Sequence, residues 1–323
     1  MNKEFGKTEA NSDVLNREPK TLLIGFGWVG QYVHKYFTQA DIVTPSRGLL
    51  LRRLFDETGK ADFPDLPNYT RYLNFDKDGF KSLEKGYNGA EQTERWEIAF
   101  ISTPSPMRED GSCDTSFVEE AVKNWAPFVD LFICRSTVTP GTCDRLSEKY
   151  NTRVVMQPEY VGETLDHPFI KPHSDPFIIL GGKPEDTKKA GEAWMKVLHA
   201  NATIRQVTAL TAELCKYMEN SFLGVKVLFV NEFRQLAEMV GVDFLELREA
   251  WLEDPRIGRS HSMAYKENPG FSGKCLPKDL NSIAHYARTK AISPLRLIEA
   301  ALEINADMRK DCKNSVPLLP TKK

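Results

Sequence analysis

An uninterrupted apolar run, Leu22-Leu23-Ile24, leads directly into Gly25-Phe26-Gly27-Trp28-Val29-Gly30. The order is buried strand, G-x-G-x-x-G turn, then helix, and few architectures accommodate it. The first glycine permits the tight turn, the second lets backbone approach a pyrophosphate, and the third packs helix against strand. From Thr21 onward short β-rich runs alternate with helical stretches, which implies a parallel sheet with crossover helices. Strands are expected at Thr21 to Ile24, Ile42 to Thr44, Ile98 to Ser102, Leu131 to Arg135, Arg153 to Met156 and Pro176 to Leu180. Ser116 with Glu119 reads as a capping box, and Thr139-Pro140 as a proline at a first helical position.

Beyond Gln206 strand patterning stops. A long helix is expected from Ala209 to Val240, with Gly241 as its C-cap. A second is expected from Asp243 to about Glu253, and helical structure again from Lys278 to about Lys310. The expected organisation is a flexible tail over 1–19, a Rossmann-type doubly wound α/β domain over 20–206, an all-helical central domain over 207–310, and a tail over 311–323. At 323 residues the chain is long enough for two cores.

Composition excludes several functions. With 41% hydrophobic and 27% charged residues the chain has the balance of a soluble protein, and no apolar run approaches the ~20 residues that span a bilayer. The N-terminus lacks a signal-peptide core, so a cytoplasmic protein is expected. A net charge of −2, with Lys and Arg dispersed, gives no footprint for nucleic acid. The six cysteines form no C-x-x-C pair, so no metal site is expected, and most read as reduced packing residues.

The acidic residue that usually follows the glycine motif, at the end of the second strand, is missing. Ser46-Arg47 stands there, a pair able to accept a 2′-phosphate and so to favour NADP over NAD; the alternative is that Arg47 only stacks on adenine or is solvated. In Gly270-Phe271-Ser272-Gly273-Lys274-Cys275-Leu276-Pro277-Lys278-Asp279 the glycines let a ligand lie against backbone, and Lys274 and Lys278 favour a thiolate at Cys275. Lys216 and Asn220, four apart, share a helical face and are able to donate to one oxyanion, although such a pair read alone is more often solvated. Glu159 and Glu163 follow a strand end, as acid/base groups or as a helix start.

Together these segments resemble the UDP-glucose/GDP-mannose dehydrogenases from about Thr21 to Met308. The likeness is carried by the Gly25 turn, Ser102-Thr103-Pro104 with Asp110-Gly111-Ser112, Ser136-Thr137-Val138, Pro158-Glu159-Tyr160, and Glu213 to Asn220 with Asn231-Glu232. Asp254-Pro255-Arg256-Ile257-Gly258 and the Cys275 to Asp279 loop complete it. The resemblance implies oxidation of a nucleotide-sugar alcohol, UDP-glucose first, to the acid through a thiohemiacetal and thioester on Cys275, with two cofactors reduced. It implies Lys216 and Asn220 on the reacting oxygen, Asp279 and Thr137 on water or a proton relay, and Glu163 as an acid/base partner. Cofactor contacts are implied for Gly25, Gly27, Trp28, Val29, Gly30, Ser46, Arg47, Thr103, Pro104, Thr137 and Glu163. Substrate contacts are implied for Glu159, Tyr160, Phe271 and Gly273, and for Arg256 from a neighbouring subunit of a homodimer built on the Ala209 to Val240 helix. Family members carry a third, nucleotide-binding domain, and this chain is expected to lack it; Ser272 stands where the family pattern has glycine. A single-step β-hydroxyacid-type dehydrogenase and a non-catalytic cofactor-binding relative are the competing readings.

Overall fold

The computed structural model describes residues 18–44, 49–53, 69–74, 95–160, 177–198, 202–290 and 293–312. Within them the chain forms, in order, β1 (Thr21–Ile24), α1 (Trp28–His34), β2 (Asp41–Thr44), β3 (Leu49–Arg53), β4 (Tyr69–Asn74) and β5 (Ile98–Ile101). Next come α2 (Ser116–Trp125), β6 (Phe132–Cys134), α3 (Thr142–Lys149), β7 (Val154–Met156), β8 (Phe177–Gly181), α4 (Pro184–Met195) and β9 (Thr203–Val207). The helices α5 (Ala209–Val240), α6 (Phe244–Trp251), α7 (Leu276–Thr289) and α8 (Arg296–Arg309) follow.

The strands make one sheet in the order β4-β3-β2-β1-β5-β6-β7-β8-β9. From β2 to β7 every neighbouring pair is parallel. This is the Rossmann-type doubly wound arrangement expected from the alternation, with β1 and β5 flanking the point where successive connections diverge. The core lies where these strands meet their crossover helices: Trp194 of α4 is fully buried and packs edge-on against Phe37 and Phe100, at ring-centroid distances of 5.1 and 5.6 Å.

Several local expectations change. β3 and β4 pair antiparallel beside β2, β8 pairs antiparallel with β7, and neither β3, β4 nor β9 was expected. The strand expected from Pro176 is described only from Phe177. Pro140 does not open a helix; α3 begins at Thr142 behind Gly141, whose φ of +90° an L side chain rarely adopts. The C-terminal helical stretch divides into α7 and α8, consistent with Pro294 in the connection. Asp243 does cap α6, accepting from the N–H groups of Leu245 and Glu246, and Gly241 ends α5 with φ +75°.

The chain divides into two compact units. One holds Met1–Pro104, Ser116–Thr137 and Gly141–Glu213; the other holds Ser105–Thr115, Val138–Pro140 and Leu214–Lys323. The core of the second gathers Val227 and Leu228 of α5, Phe271, Leu280 of α7 and Ala301 of α8. Gly224 makes this packing possible, since a Cβ there would already lie 3.1 Å from Leu280. No described helix is long and apolar enough to cross a membrane.

Candidate active site

In the sheet unit the Gly25 turn is fixed by steric necessity. Gly25 has φ +93°, and a Cβ on it would fall 2.7 Å from the carbonyl oxygen of Ser102, just past β5. A Cβ on Gly30 would fall 2.2 Å from the Gly25 carbonyl oxygen. Gly27 differs: its added Cβ would meet nothing within 4 Å, so open space lies at the first turn of α1. The turn is held from both sides, Gly25 N–H donating to Val43 O and Ser102 N–H to Ile24 O, each at 2.8 Å. The Ser102 and Thr103 hydroxyls are buried without a protein partner, while the Thr103 carbonyl accepts from Ser136 Oγ at 2.6 Å. Trp28 and Pro104 are exposed, Val29 and Thr137 half-buried. These residues fit a dinucleotide: glycine where backbone must come close, open space before the helix, and two hydroxyls lacking partners.

Glu159 occupies a different position in that unit. Its carboxylate is buried and ion-paired with Arg135, whose guanidinium lies 5.9 Å from the Trp194 ring centroid. Tyr160 packs against Phe177, centroids 5.2 Å apart. Ser46, Arg47 and Glu163 lie outside the described residues. One carboxylate that local patterning could not reveal is Glu213. It reaches back 70 residues to accept from the N–H groups of Cys143, at 2.8 Å, and Gly141, supplying a cap that α3 lacks locally. Burial raises its pKa, against the pull of those two N–H donors.

The helical unit assembles the cysteine loop. Cys275 is the N-cap residue of α7 and is exposed, the condition for a reactive thiol. Its carbonyl accepts from Asp279 N–H at 2.9 Å in the first helical turn. Asp279, 1% exposed, takes Nδ2 of Asn220 at 2.5 Å and Nζ of Lys278 at 2.5 Å. Burial works against the Lys278 charge, but the Asp279 carboxylate, with Cys113 and Cys275 after it, more than offsets it and the pKa stands above its ordinary value. Lys278 was expected to favour the Cys275 thiolate; its salt bridge is with Asp279, and Cys275 is among the neighbours that raise its pKa.

Lys216 lies one turn before Asn220 on α5. Between them is Glu219, which spacing along the chain does not single out. One of its carboxylate oxygens is buried without a partner, and burial raises its pKa against the neighbouring Lys216 charge. Cys113 is buried and its thiol pushed up by that burial. Phe271 is anchored by Asn305 Oδ1, which accepts from its N–H at 2.7 Å, while Gly270 and Gly273 turn the loop with φ of +72° and +83°. Arg256 stands apart on an exposed turn, its guanidinium held by Asp254. No group of three or more His, Cys, Asp or Glu among the described residues is placed to hold a metal ion.

Two family profiles match the chain in succession. The profile described as "UDP-glucose/GDP-mannose dehydrogenase family, NAD binding domain" matches residues 78–202, and that for the central domain of the same family matches 210–307. The UDP-glucose 6-dehydrogenase of Rickettsia bellii (strain RML369-C) is 29% identical over 248 residues, which is 74% of this chain and 55% of that protein. UDP-glucose 6-dehydrogenase YwqF of Bacillus subtilis (strain 168) is 29% identical over 246 residues, 72% of this chain and 51% of its own length. The chain thus spans about half the length of the curated relatives it matches. A solved UDP-glucose dehydrogenase from the archaeon Pyrobaculum islandicum superposes with a TM-score of 0.66 at 25% identity, covering 94% of this chain and 71% of its own. The UDP-N-acetyl-mannosamine dehydrogenase Cap5O from Staphylococcus aureus, at 21% identity and a TM-score of 0.58 over 90% of this chain and 68% of its own, shares the fold.

Proposed function

We propose that this chain, which belongs to the UDP-glucose/GDP-mannose dehydrogenase family, oxidises the primary alcohol of a nucleotide sugar, UDP-glucose first, to the carboxylate through a thioester on Cys275. The observation that carries the reading is the joining of Asn220 and Lys278 to Asp279 in the helical turn that Cys275 opens. NAD, when bound, supplies the hydride acceptor for both oxidations. Gly25, Gly27, Trp28, Val29, Gly30, Thr103 and Pro104 hold it, with Thr137 and Glu163 at its reactive end. Ser46 and Arg47 take the adenosine ribose, where a 2′-phosphate is the variant to test.

The residues of the chain do the rest. Loss of a proton and a hydride from the alcohol gives an aldehyde, and Lys216 with Asn220 stabilises the negative oxygen as it forms. The Cys275 thiolate, favoured at a helix N-terminus, adds to the aldehyde carbon; its C–S bond makes a thiohemiacetal whose oxyanion faces the same two donors. Loss of a second hydride leaves a thioester. Water adds to the thioester carbon, its proton going to Asp279. The C–S bond then breaks to release carboxylate and thiol. Tyr160, Phe271 and Gly273 seat the sugar. Glu159 is held in place by its pair with Arg135.

The same helix that carries Lys216 supplies a dimer face. Met218 is 78% exposed, Phe222 64% and Met239 77%, a run of large apolar side chains along α5. A homodimer on this face lets Arg256 of one subunit reach the substrate of the other.

Incubation with a panel of nucleotide sugars and NAD or NADP tests the reading, following reduced cofactor by absorbance and acid by mass spectrometry. Two reduced cofactors per acid are expected, with a covalent adduct on Cys275 and no acid from Cys275→Ala. Absence of acid with every pairing sinks the proposal, and one reduced cofactor per product with a tolerant Cys275→Ala points to the single-step chemistry.

A further inference from the structure

Lys226 of α5 is half-buried and points into the irregular stretch between α6 and α7. Its Nζ donates to Ile257 O at 3.0 Å, Gly258 O at 2.8 Å and Ser260 O at 2.7 Å. An ammonium has three protons, and here three main-chain carbonyls take them. Those carbonyls converge in a segment with φ of +67° at Gly258 and +57° at His261, a conformation that costs energy for a non-glycine residue. Without a cation between them, their negative ends would face one another.

A second buried cation holds the far end. Arg248 of α6 donates from Nε to Ser262 O at 2.9 Å and from Nη2 to Ser262 Oγ at 2.8 Å, and Ser262 Oγ donates to Arg259 O at 2.6 Å. Arg256 is bracketed by this frame. On its N-terminal side Asp254 Oδ1 accepts from Arg256 N–H and Asp254 O from Ile257 N–H, both at 3.0 Å. On its C-terminal side the next two carbonyls are those bound to Lys226. The Arg256 side chain is 86% exposed and its guanidinium is paired with Asp254, so the loop presents an oriented, accessible cation from a fixed backbone.

We propose that Lys226 is a positioning residue for substrate binding: by fixing the carbonyls of residues 257, 258 and 260 it aims Arg256 at the diphosphate of a nucleotide sugar held by a second copy of the chain. A planar guanidinium matches phosphate oxygens in paired hydrogen bonds, so its direction matters as well as its charge. The inference rests on the substrate and dimer proposed above. Burial, and after it the nearby Arg248 charge, lowers the Lys226 pKa. The carbonyl cage therefore holds a cation that its surroundings disfavour.

The test compares the full chain with Lys226→Met, Lys226→Arg, Arg256→Ala, the Lys226→Met/Arg256→Ala double variant and Arg259→Ala, using UDP-glucose and NAD. Lys226→Met is expected to raise KM for the sugar about tenfold while kcat stays within about twofold, and Lys226→Arg to recover most of the loss. Because Lys226 acts through Arg256, it should cost nothing further in the Arg256→Ala background. Arg259→Ala, whose side chain pairs with Glu249 and touches none of the three carbonyls that hold Lys226, should change KM far less than Lys226→Met. Amide hydrogen exchange over 256–262 should quicken in Lys226→Met, with α6 unchanged. Unchanged exchange, additive losses in the double variant, or a fall in kcat without a rise in KM overturns the proposal. If the unmodified chain reduces no cofactor with any nucleotide sugar, the dehydrogenase reading fails, while the exchange rates still decide whether Lys226 sets the loop.

Discussion

The side-chain amide of Asn220 donates to the carboxylate of Asp279 at 2.5 Å, tying the middle of the long helix α5 to the first turn of α7. The two residues are 59 positions apart, and the bond is buried. Asp279 also holds the Lys278 ammonium, so one carboxylate sets the geometry on both sides of the turn behind Cys275.

Removing either side of this carboxylate should therefore be felt in stability and in rate. Asn220→Ala deletes a donor to a buried anion and is expected to cost about 1–3 kcal/mol. Asp279→Ala leaves a buried ammonium unpaired and is expected to cost about 3–5 kcal/mol. Lys278 adds a pH signature. Its pKa is raised in the folded chain, so its contribution is complete below the ordinary lysine value and disappears as pH rises through the folded value. Denaturant titrations at neutral and alkaline pH check this. An Asp279→Ala variant as stable as the parent at neutral pH would contradict it.

Gly27 and Gly30 should respond in opposite ways. Gly30→Ala puts a Cβ 2.2 Å from the Gly25 carbonyl and is expected to destabilise the fold by at least about 3 kcal/mol. Gly27→Ala meets no protein atom, so its melting temperature should stay within about 2 °C of the parent. Its affinity for NAD should nonetheless fall, because the methyl group fills the space that a pyrophosphate takes. Calorimetric titration with NAD decides this, and unaltered binding by Gly27→Ala removes that glycine from the cofactor site.

Acid stability should depend on Glu119. Its carboxylate meets Arg145, Lys149 and Tyr150, and its pKa falls from 4.5 to about 2, with the Lys149 hydrogen bond the largest cause. A depressed pKa stabilises the fold above the ordinary value, and the contribution is lost as pH drops from 4.5 towards 2. Glu119→Gln should therefore melt lower than the parent at neutral pH and converge with it near pH 2. Parallel melting curves across that range would falsify the assignment.

The apolar face of α5 should govern self-association. A Met218→Glu/Phe222→Glu double variant places charge where large side chains are exposed and is expected to be monomeric by light scattering while keeping its circular dichroism spectrum. A parent chain that is itself monomeric, or a double variant that still dimerises, removes this face from the interface.

Expectation and structure agree most closely where a pattern is local and repeats. The glycine turn is legible because a strand, a positive φ and a close helix leave so few alternatives to glycine at Gly25 and Gly30. The long helix is legible from its uninterrupted helical residues and its ending at Gly241. The cap of α6 is legible because Asp243 reaches N–H groups only two and three residues on. Pro140 misled for a related reason. The proline signals a helix nearby, yet the first turn forms only after Gly141, where Glu213 supplies the acceptor from another helix.

What the amino-acid order determined alone was the alternating α/β pattern, the glycine turn, the helical second half and the residue types able to do cysteine chemistry. Three things were decided in three dimensions: Glu159 is paired with Arg135, Asp279 is shared by Asn220 and Lys278, and Lys226 is closed round by carbonyls from the next loop. The physical reason is range. Backbone preference and amphipathic period act within a few residues and can be read along the chain, whereas the partner of a buried charge is whichever group folding brings within hydrogen-bond distance.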